Sequence, residues 1–277
     1  MGISFVLISI FFAGTVIKGG FNMGVDFVGG IKIIARFDKN IDEAKIRAAI
    51  LEFGPTVQKI GDQNDYIIST KLEKDRAGAE SEESEKIKSK LTQKLGSVKI
   101  LSVESVGPTI GDYLRRSAWK IAIVANLFMI IYLSFRFEFK YALGVFLSDL
   151  HDVVLTLAFC GMFGIEINIP VLAALLTIFG FSCNDTIVIF DRVRENIKIE
   201  SKITFTEIIN RSITQTLSRT FLTTLTVLFS VFSLYLLAGE GIREFALVML
   251  VGMISGVYST IYIASPFVLV WEKISSR

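Results

Sequence analysis

Residues 169–190 read IPVLAALLTIFGFSCNDTIVIF, and Asp185 is the only Asp, Glu, Lys, Arg or His among them. A helix rising about 1.5 Å per residue crosses the roughly 30 Å hydrocarbon core of a bilayer in about 20 residues, so this stretch has the length and polarity of a membrane span. Working outward, residues 117–135, 141–163, 220–238 and 245–271 read the same way. A sixth apolar run, residues 2–17, is slightly short and reads either as a cleaved signal peptide or as an anchor. No basic residue precedes it, and Phe11 and Phe12 continue it towards Lys18 without a small-x-small cleavage pattern, so an anchor is expected.

Composition agrees with a membrane protein. Of 277 residues, 52% are hydrophobic, and the mean hydropathy of +0.57 exceeds that of an ordinary globular domain. The 29 Lys and Arg nearly balance 27 Asp and Glu, which gives no surplus of the kind that binds nucleic acid. Cys160 and Cys183 both fall in apolar runs and read as packed side chains, not as a disulfide or metal ligands. With His151 as the single histidine, a His-cluster metal site is excluded. No metal and no cofactor is expected.

Basic residues in short loops orient the spans. Arg136 and Lys140 mark one loop as cytoplasmic; Arg194, Lys198, Lys202 and Arg211 mark the loop 192–219; Lys273 and Arg277 place the C-terminus inside. The loops 164–168 and 239–244 hold only Arg243. Both termini are then cytoplasmic and residues 18–116 lie outside. Arg115, Arg116 and Lys120 oppose the rule, but large domains translocate largely regardless of charge. Three parts result: helix 1 over 1–17, an outer domain over 18–116, and helices 2 to 6 over 117–277.

Inside the outer domain, residues 31–37 are β-rich, 41–53 carry helical spacing, and 57–60 are short and apolar. A turn at 61–64, a strand at 66–70, a charged helix at 79–95 and a strand at 98–106 complete an order βαββαβ, which predicts a small ferredoxin-like α+β domain. Pro108, after Gly107, breaks the chain before the next span.

An ionisable group at mid-membrane costs at least about 2.5–3.5 kcal/mol, so each one within a span needs a reason. Asp149, His151 and Asp152 lie near the middle of the third span, where Ser148, Asp152 and Thr156 share a face. Asn184 and Asp185 lie in the fourth, with Ser182 one turn before Asp185. Arg219 opens a stripe with Thr223, Thr226, Ser230 and Ser233, which reads either as the lining of a wet crevice or as hydroxyls bonded back to their own helix. Each charged group also has a plain structural reading: Asp149 as a cap or ion-pair partner, His151 as a packed neutral ring, Arg219 snorkelling to the interface, Asp185 in a static ion pair with Arg219. Gly252, Ser255, Gly256 and Ser259 form a small-residue face typical of helix packing.

Taken together these residues resemble the SecD and SecF family of Sec translocase subunits. Gly24-Val25-Asp26-Phe27-Val28-Gly29-Gly30 resembles the family's D-F-x-G-G signature, and Val106-Gly107-Pro108-Thr109-Ile110-Gly111 its V-G-P-x-x-G entry to the second span. His151-Asp152 is similar to the third-span H-D pair. Residues 180–188 resemble G-Y-S-x-N-D-T-I-V, Asp191-Arg192-Val193-Arg194-Glu195-Asn196 resembles D-R-x-R-E-N, and residues 212–220 resemble S-x-x-Q-T-x-x-R-T. The D-R-x-R-E-N run points to the SecF branch. Phe181 and Cys183 depart from the usual Tyr and Ile, and almost no leader precedes the first span; no ionisable motif position is lost.

The resemblance implies six spans of the resistance-nodulation-division type in a bacterial inner membrane, pairing with SecD, association with the SecYEG channel, and proton-driven assistance to late export of a polypeptide substrate amid membrane lipid. It also implies that Asp185 and Arg219 belong to the proton path, with Asp152, His151 and Asn184 as neighbours. Other readings weighed from the residues are an efflux or lipid transporter of the same superfamily, an intramembrane aspartyl protease built on Asp152 and Asp185, and a purely structural assembly factor.

Overall fold

The computed structural model describes residues 2–60, 64–71, 79–199, 203–238 and 240–275. Most of the expected turn at 61–64, and Lys202, Gly239 and Arg277, lie outside these residues. The chain divides into two compact units, residues 23–120 and residues 1–22 with 121–277.

The first unit is built around a four-stranded antiparallel sheet. A one-turn helix α1′ at Val25–Val28, which the sequence reading did not anticipate, leads into β1 (Gly30–Phe37). A helix at Glu43–Ala49 with a 3₁₀ turn at Leu51–Phe53 replaces the single expected helix over 41–53, and Asp42 caps it by accepting from the Ala44 amide at 3.1 Å. Then come β2 (Thr56–Ile60), β3 (Asp65–Lys71), a helix at Ala79–Leu95 and β4 (Val98–Val106). The strand order is β2-β3-β1-β4, with Ile33 opposite both Ile68 and Val103. Alternation sends Ile31, Ile33, Ala35 and Phe37 to one face, where they pack with Tyr66, Ile68, Ile46, Ile50, Ile87 and Leu91. The buried Tyr66 hydroxyl donates to the Ile41 carbonyl at 2.5 Å, with Asn40 Oδ1 2.9 Å away.

The family-like glycines have a geometric reason in this unit. Gly29 has φ +79°, a conformation that disfavours any side chain. A Cβ on Gly30 would run into the Thr70 carbonyl, and one on Gly111 would lie 2.9 Å from the Gly29 amide nitrogen. Phe27 is buried beside them and Asp26 half-buried. The amide of Gly111 donates to the carbonyl of Gly107 at 3.0 Å, inside the first turn of the helix that Pro108 opens.

In the second unit we label the helices by span. H1 is Gly2–Ile17, H2 Pro108–Arg136 (continuing from the first unit), H3 Phe139–Phe163, H4 Ile169–Ile199 and H5 Phe205–Leu237. H6 is Glu240–Ser259, a π turn at Thr260–Ala264 and a final helix at Ser265–Ser275. Among the described residues five helices, H2 to H6, are long and apolar enough to cross a membrane, and H1 is a shorter apolar helix. H1 lies along H3: Phe11 packs edge-on against Phe159 and Phe163, Gly14 meets Met162, and Thr15 Oγ1 donates to the Ala158 carbonyl at 3.2 Å. Residue numbers rise together on both, so the two helices run parallel.

The loop expected over 192–219 is mostly helix. H4 continues to Ile199 because Arg192, bonded to Glu195 at 2.5 Å and to Gln215 at 2.6 Å, and Asn196, donating to Ser212 at 2.8 Å, bond H4 to itself and to H5. H5 begins with a capping box in which Thr204 and Glu207 satisfy each other's end groups.

Candidate functional site

Buried polar groups concentrate where H3, H4 and H6 cross. On H3, Ser148, Asp149, Asp152 and Thr156 are each fully buried. Opposite them stand Ser182 and Thr186 of H4 and Ser255, Ser259 and Thr260 of H6, all nearly or fully buried. Gly252 and Gly256 let H6 approach, since a Cβ at either would press on Ile178 or Ser182 of H4.

Asp152 is the hub of this layer. Ser182 and Ser259 donate to its Oδ2 at 2.7 and 2.6 Å, and Ser255 donates to its Oδ1 at 2.6 Å. His151 Nδ1 lies 3.1 Å from the same Oδ1, while its Nε2 meets Ser4 Oγ of H1. Ser148 donates to Ser259 at 2.9 Å, and Thr186 pairs with Thr260 at 2.9 Å at the start of the π turn. One carboxyl group therefore ties four helices together, as a buried polar group requires if its lone pairs are to be filled. Sequence spacing grouped Asp152 with Ser148 and Thr156, and listed Ser255 and Ser259 only as a packing face; their role as donors appears once H6 is placed against H3. Ser4 was not singled out, and nothing in its sequence context distinguishes it.

Asp149 departs from expectation. Neither of its carboxyl oxygens accepts a hydrogen bond among the described residues, so it is neither cap nor ion-pair partner. Ser182, the donor within reach of it, is turned to Asp152 three residues on, at 2.7 Å.

Asp185 forms a second, sparser site between H4 and H5. It is 5% exposed and accepts one side-chain hydrogen bond, from Thr224 Oγ1 at 3.1 Å. That donor sits on the buried row Thr216, Thr220, Thr224, not on the stripe read from the sequence. The hydroxyls of the stripe bond back to their own helix: Thr223 to the Arg219 carbonyl at 3.0 Å, Thr226 to Leu222 at 2.8 Å, Ser230 to Thr226 at 3.1 Å and Ser233 to Phe229 at 2.9 Å. These residues are exposed on the bundle surface, together with Arg219. At 3.6 residues per turn, Arg219 stands about 140° round the helix from Thr224. Among the described residues no ion pair joins it to Asp185, although its charge acts on that carboxyl through space. Asn184 is likewise exposed, one residue and about 100° from Asp185. The structure thus brings His151 and Asp152 together, places Asp185 a turn beyond Ser182 on the same helix, and leaves Arg219 and Asn184 on the outer surface of H5 and H4. Asp191 and Arg192 line a cavity near the end of H4 with Arg136 and Arg219. No hydrogen bond joins Asp152 to Asp185, which sit in separate hydroxyl environments, so no shared-proton dyad of the protease type is formed.

Among the described residues no cluster of His, Cys, Asp and Glu has the composition of a metal site. The two cysteines are free and buried.

The model for the family "Protein export membrane protein SecD/SecF, C-terminal" matches residues 86–274, and that for the SecD/SecF GG motif matches residues 16–41. The protein translocase subunit SecF of Gemmatimonas aurantiaca is 38% identical over 97% of this chain and 83% of its own length; that of Calditerrivibrio nitroreducens is 39% identical over 98% and 90%. The crystal structure of SecDF from Thermus thermophilus, a translocon-associated membrane protein, superposes with a TM-score of 0.87 at 34% identity. This chain covers 37% of that longer protein and is itself 98% covered. Relatives named as translocase subunits make this a component of protein transport, not an enzyme, and the chain belongs to the SecF family of protein translocase subunits.

Proposed function

We propose that this chain acts with SecD at the SecYEG channel, using the proton motive force to assist the late stage of polypeptide export across the bacterial inner membrane. The observation that carries the reading is the unequal setting of Asp185 and Arg219. The acid is buried with a single side-chain donor, and the base faces outward at the head of the exposed row Thr223, Thr226, Ser230 and Ser233, where a charge without a partner is costly in lipid. A partner helix from SecD laid on Thr223, Thr226 and Ser230 covers that row and leaves Arg219 open to the cavity that it lines. The Thermus relative, in which SecD and SecF are one chain, supports the pairing.

In this mechanism Asp185 takes a proton from the outer side, its attraction to Arg219 weakens, and H5 shifts against H4. That is a two-state element biased by protonation. Asp152, with His151 relaying from the Ser4 side, holds H3, H4 and H6 as the frame against which H5 moves, and Asn184 contributes a polar group to the partner-facing surface. H1 counts as the sixth span because it runs parallel to H3 from Ser4 beside His151 to Thr15 beside Ala158. Both termini are then cytoplasmic, and the domain over 18–116, whose strand order fits a ferredoxin-like fold, lies outside and meets the exported chain.

The test uses vesicles holding SecYEG, SecD and this chain. Asp185→Asn is expected to abolish the increment of export that a pH gradient adds, while SecD still co-purifies. An undiminished increment rejects the reading.

A further inference from the structure

The cavity at the end of H4 has a volume of about 420 Å³, within the range of small-ligand sites. Three arginines, Arg136 of H2, Arg192 of H4 and Arg219 of H5, line it with Asp191 and Glu195. Arg192 is already engaged by Glu195 and Gln215. Arg136 and Arg219 make no ion pair among the described residues; the Arg136 guanidinium covers the Phe137 ring, 5.6 Å from its centroid. Two guanidinium groups therefore face one cavity without an ion pair to its acids, and three cations against two acids leave it a surplus of one positive charge.

Position says which anion. Arg136 is the last residue of a membrane-length helix, and Tyr132, one turn earlier on the cavity wall, is 64% exposed on the apolar outer surface of H2 beside Phe135 at 89%. The cavity mouth thus opens where hydrocarbon gives way to headgroups, the level at which arginine pockets between helices take phosphate. Asp191, exposed and without a side-chain hydrogen bond among the described residues, suits an N–H donor next to that phosphate.

We propose that this cavity binds the phosphoethanolamine headgroup of a membrane phospholipid. The phosphate oxygens accept from Arg136 and Arg219, the ammonium donates to Asp191, and an acyl chain lies along Tyr132. A phosphocholine headgroup has no N–H to offer Asp191. Headgroup binding does not depend on proton coupling, and its failure leaves the Asp185 reading untouched.

Native mass spectrometry of the full chain in detergent, titrated with phosphatidylethanolamine, phosphatidylcholine, phosphatidylglycerol and inorganic phosphate, tests this. Phosphatidylethanolamine should be retained about tenfold more tightly than phosphatidylcholine, and Arg136→Gln should weaken it about tenfold, the loss of one charge-assisted contact. Asp191→Asn should reduce phosphatidylethanolamine to the phosphatidylcholine level. Equal retention of the two lipids, tighter retention of phosphatidylglycerol, displacement by inorganic phosphate, or indifference to both substitutions overturns the proposal.

Discussion

Asp152 and Asp185 are two carboxyls buried in one helical bundle, and their surroundings are opposite. Three serines and a histidine converge on Asp152 from H3, H4 and H6, whereas one threonine of H5 reaches Asp185. Saturation fixes a group: moving H3 away from H4 and H6 would orphan three buried hydroxyls at once. A single donor on one neighbouring helix leaves the other carboxyl free to exchange partners with little loss. Burial alone therefore does not mark a moving part, and the number of helices contributing donors does.

The largest effect should come from Asp152. Each buried donor left without an acceptor costs about 1–3 kcal/mol, so Asp152→Ala should lower the melting temperature in detergent further than Asp185→Ala does. The reverse order would mean that the saturated cluster is not the frame. A smaller difference separates two threonines one residue apart. Thr224→Val removes the one side-chain donor to Asp185 among the described residues and should destabilise by about 0.6 kcal/mol, the average for hydrogen bonds between membrane helices, and by no more than about 1.7. Thr223→Val, whose hydroxyl serves its own helix, should stay within about 0.5 kcal/mol of wild type. Equal effects would erase the distinction between the buried row and the exposed stripe.

The smallest effect lies in the outer domain. Asp65 accepts two bonds from Arg36, at 2.6 and 2.7 Å, and this contact holds its carboxyl below the usual carboxylate range. Because the folded value is lowered, the contribution is present above the unfolded value of about 3.9 and is lost as pH falls through the folded one. Thermal midpoints of the full chain between pH 7 and pH 3 should therefore drop slightly less in Arg36→Met than in wild type. An identical acid limb would show that the exposed pair contributes nothing.

The five long spans were legible because an apolar run of 20 residues admits few other readings, and the βαββαβ order because alternation and helical spacing are strong local signals. The helix ends were not. H4 and H5 continue past the apolar runs on Arg192–Glu195 and Asn196–Ser212 contacts, and hydropathy is blind to these; the Thr204-x-x-Glu207 capping pattern was present in the sequence and marks the true start of H5. Asp152, His151 and Asp185 stood out because charge in lipid is expensive. Their donors did not, since H5 carries threonines on more than one face and only packing selects Thr224 over Thr223. Nothing in Thr260–Ala264 announces a π turn; it appears beside the Thr186–Thr260 contact, at the kind of site where such turns gather.

A distance measurement between spin labels reaches the central claim most directly. One label pair should span the ends of H4 and H5 near Ile199 and Phe205's first turn, the other H3 and H6, in the chain assembled with SecD in lipid. On acidification the H4–H5 distance should change and the H3–H6 distance stay fixed, with the change absent in Asp185→Asn. Two unchanging distances, or a shift that survives in Asp185→Asn, would contradict a mobile H5 hinged on that carboxyl.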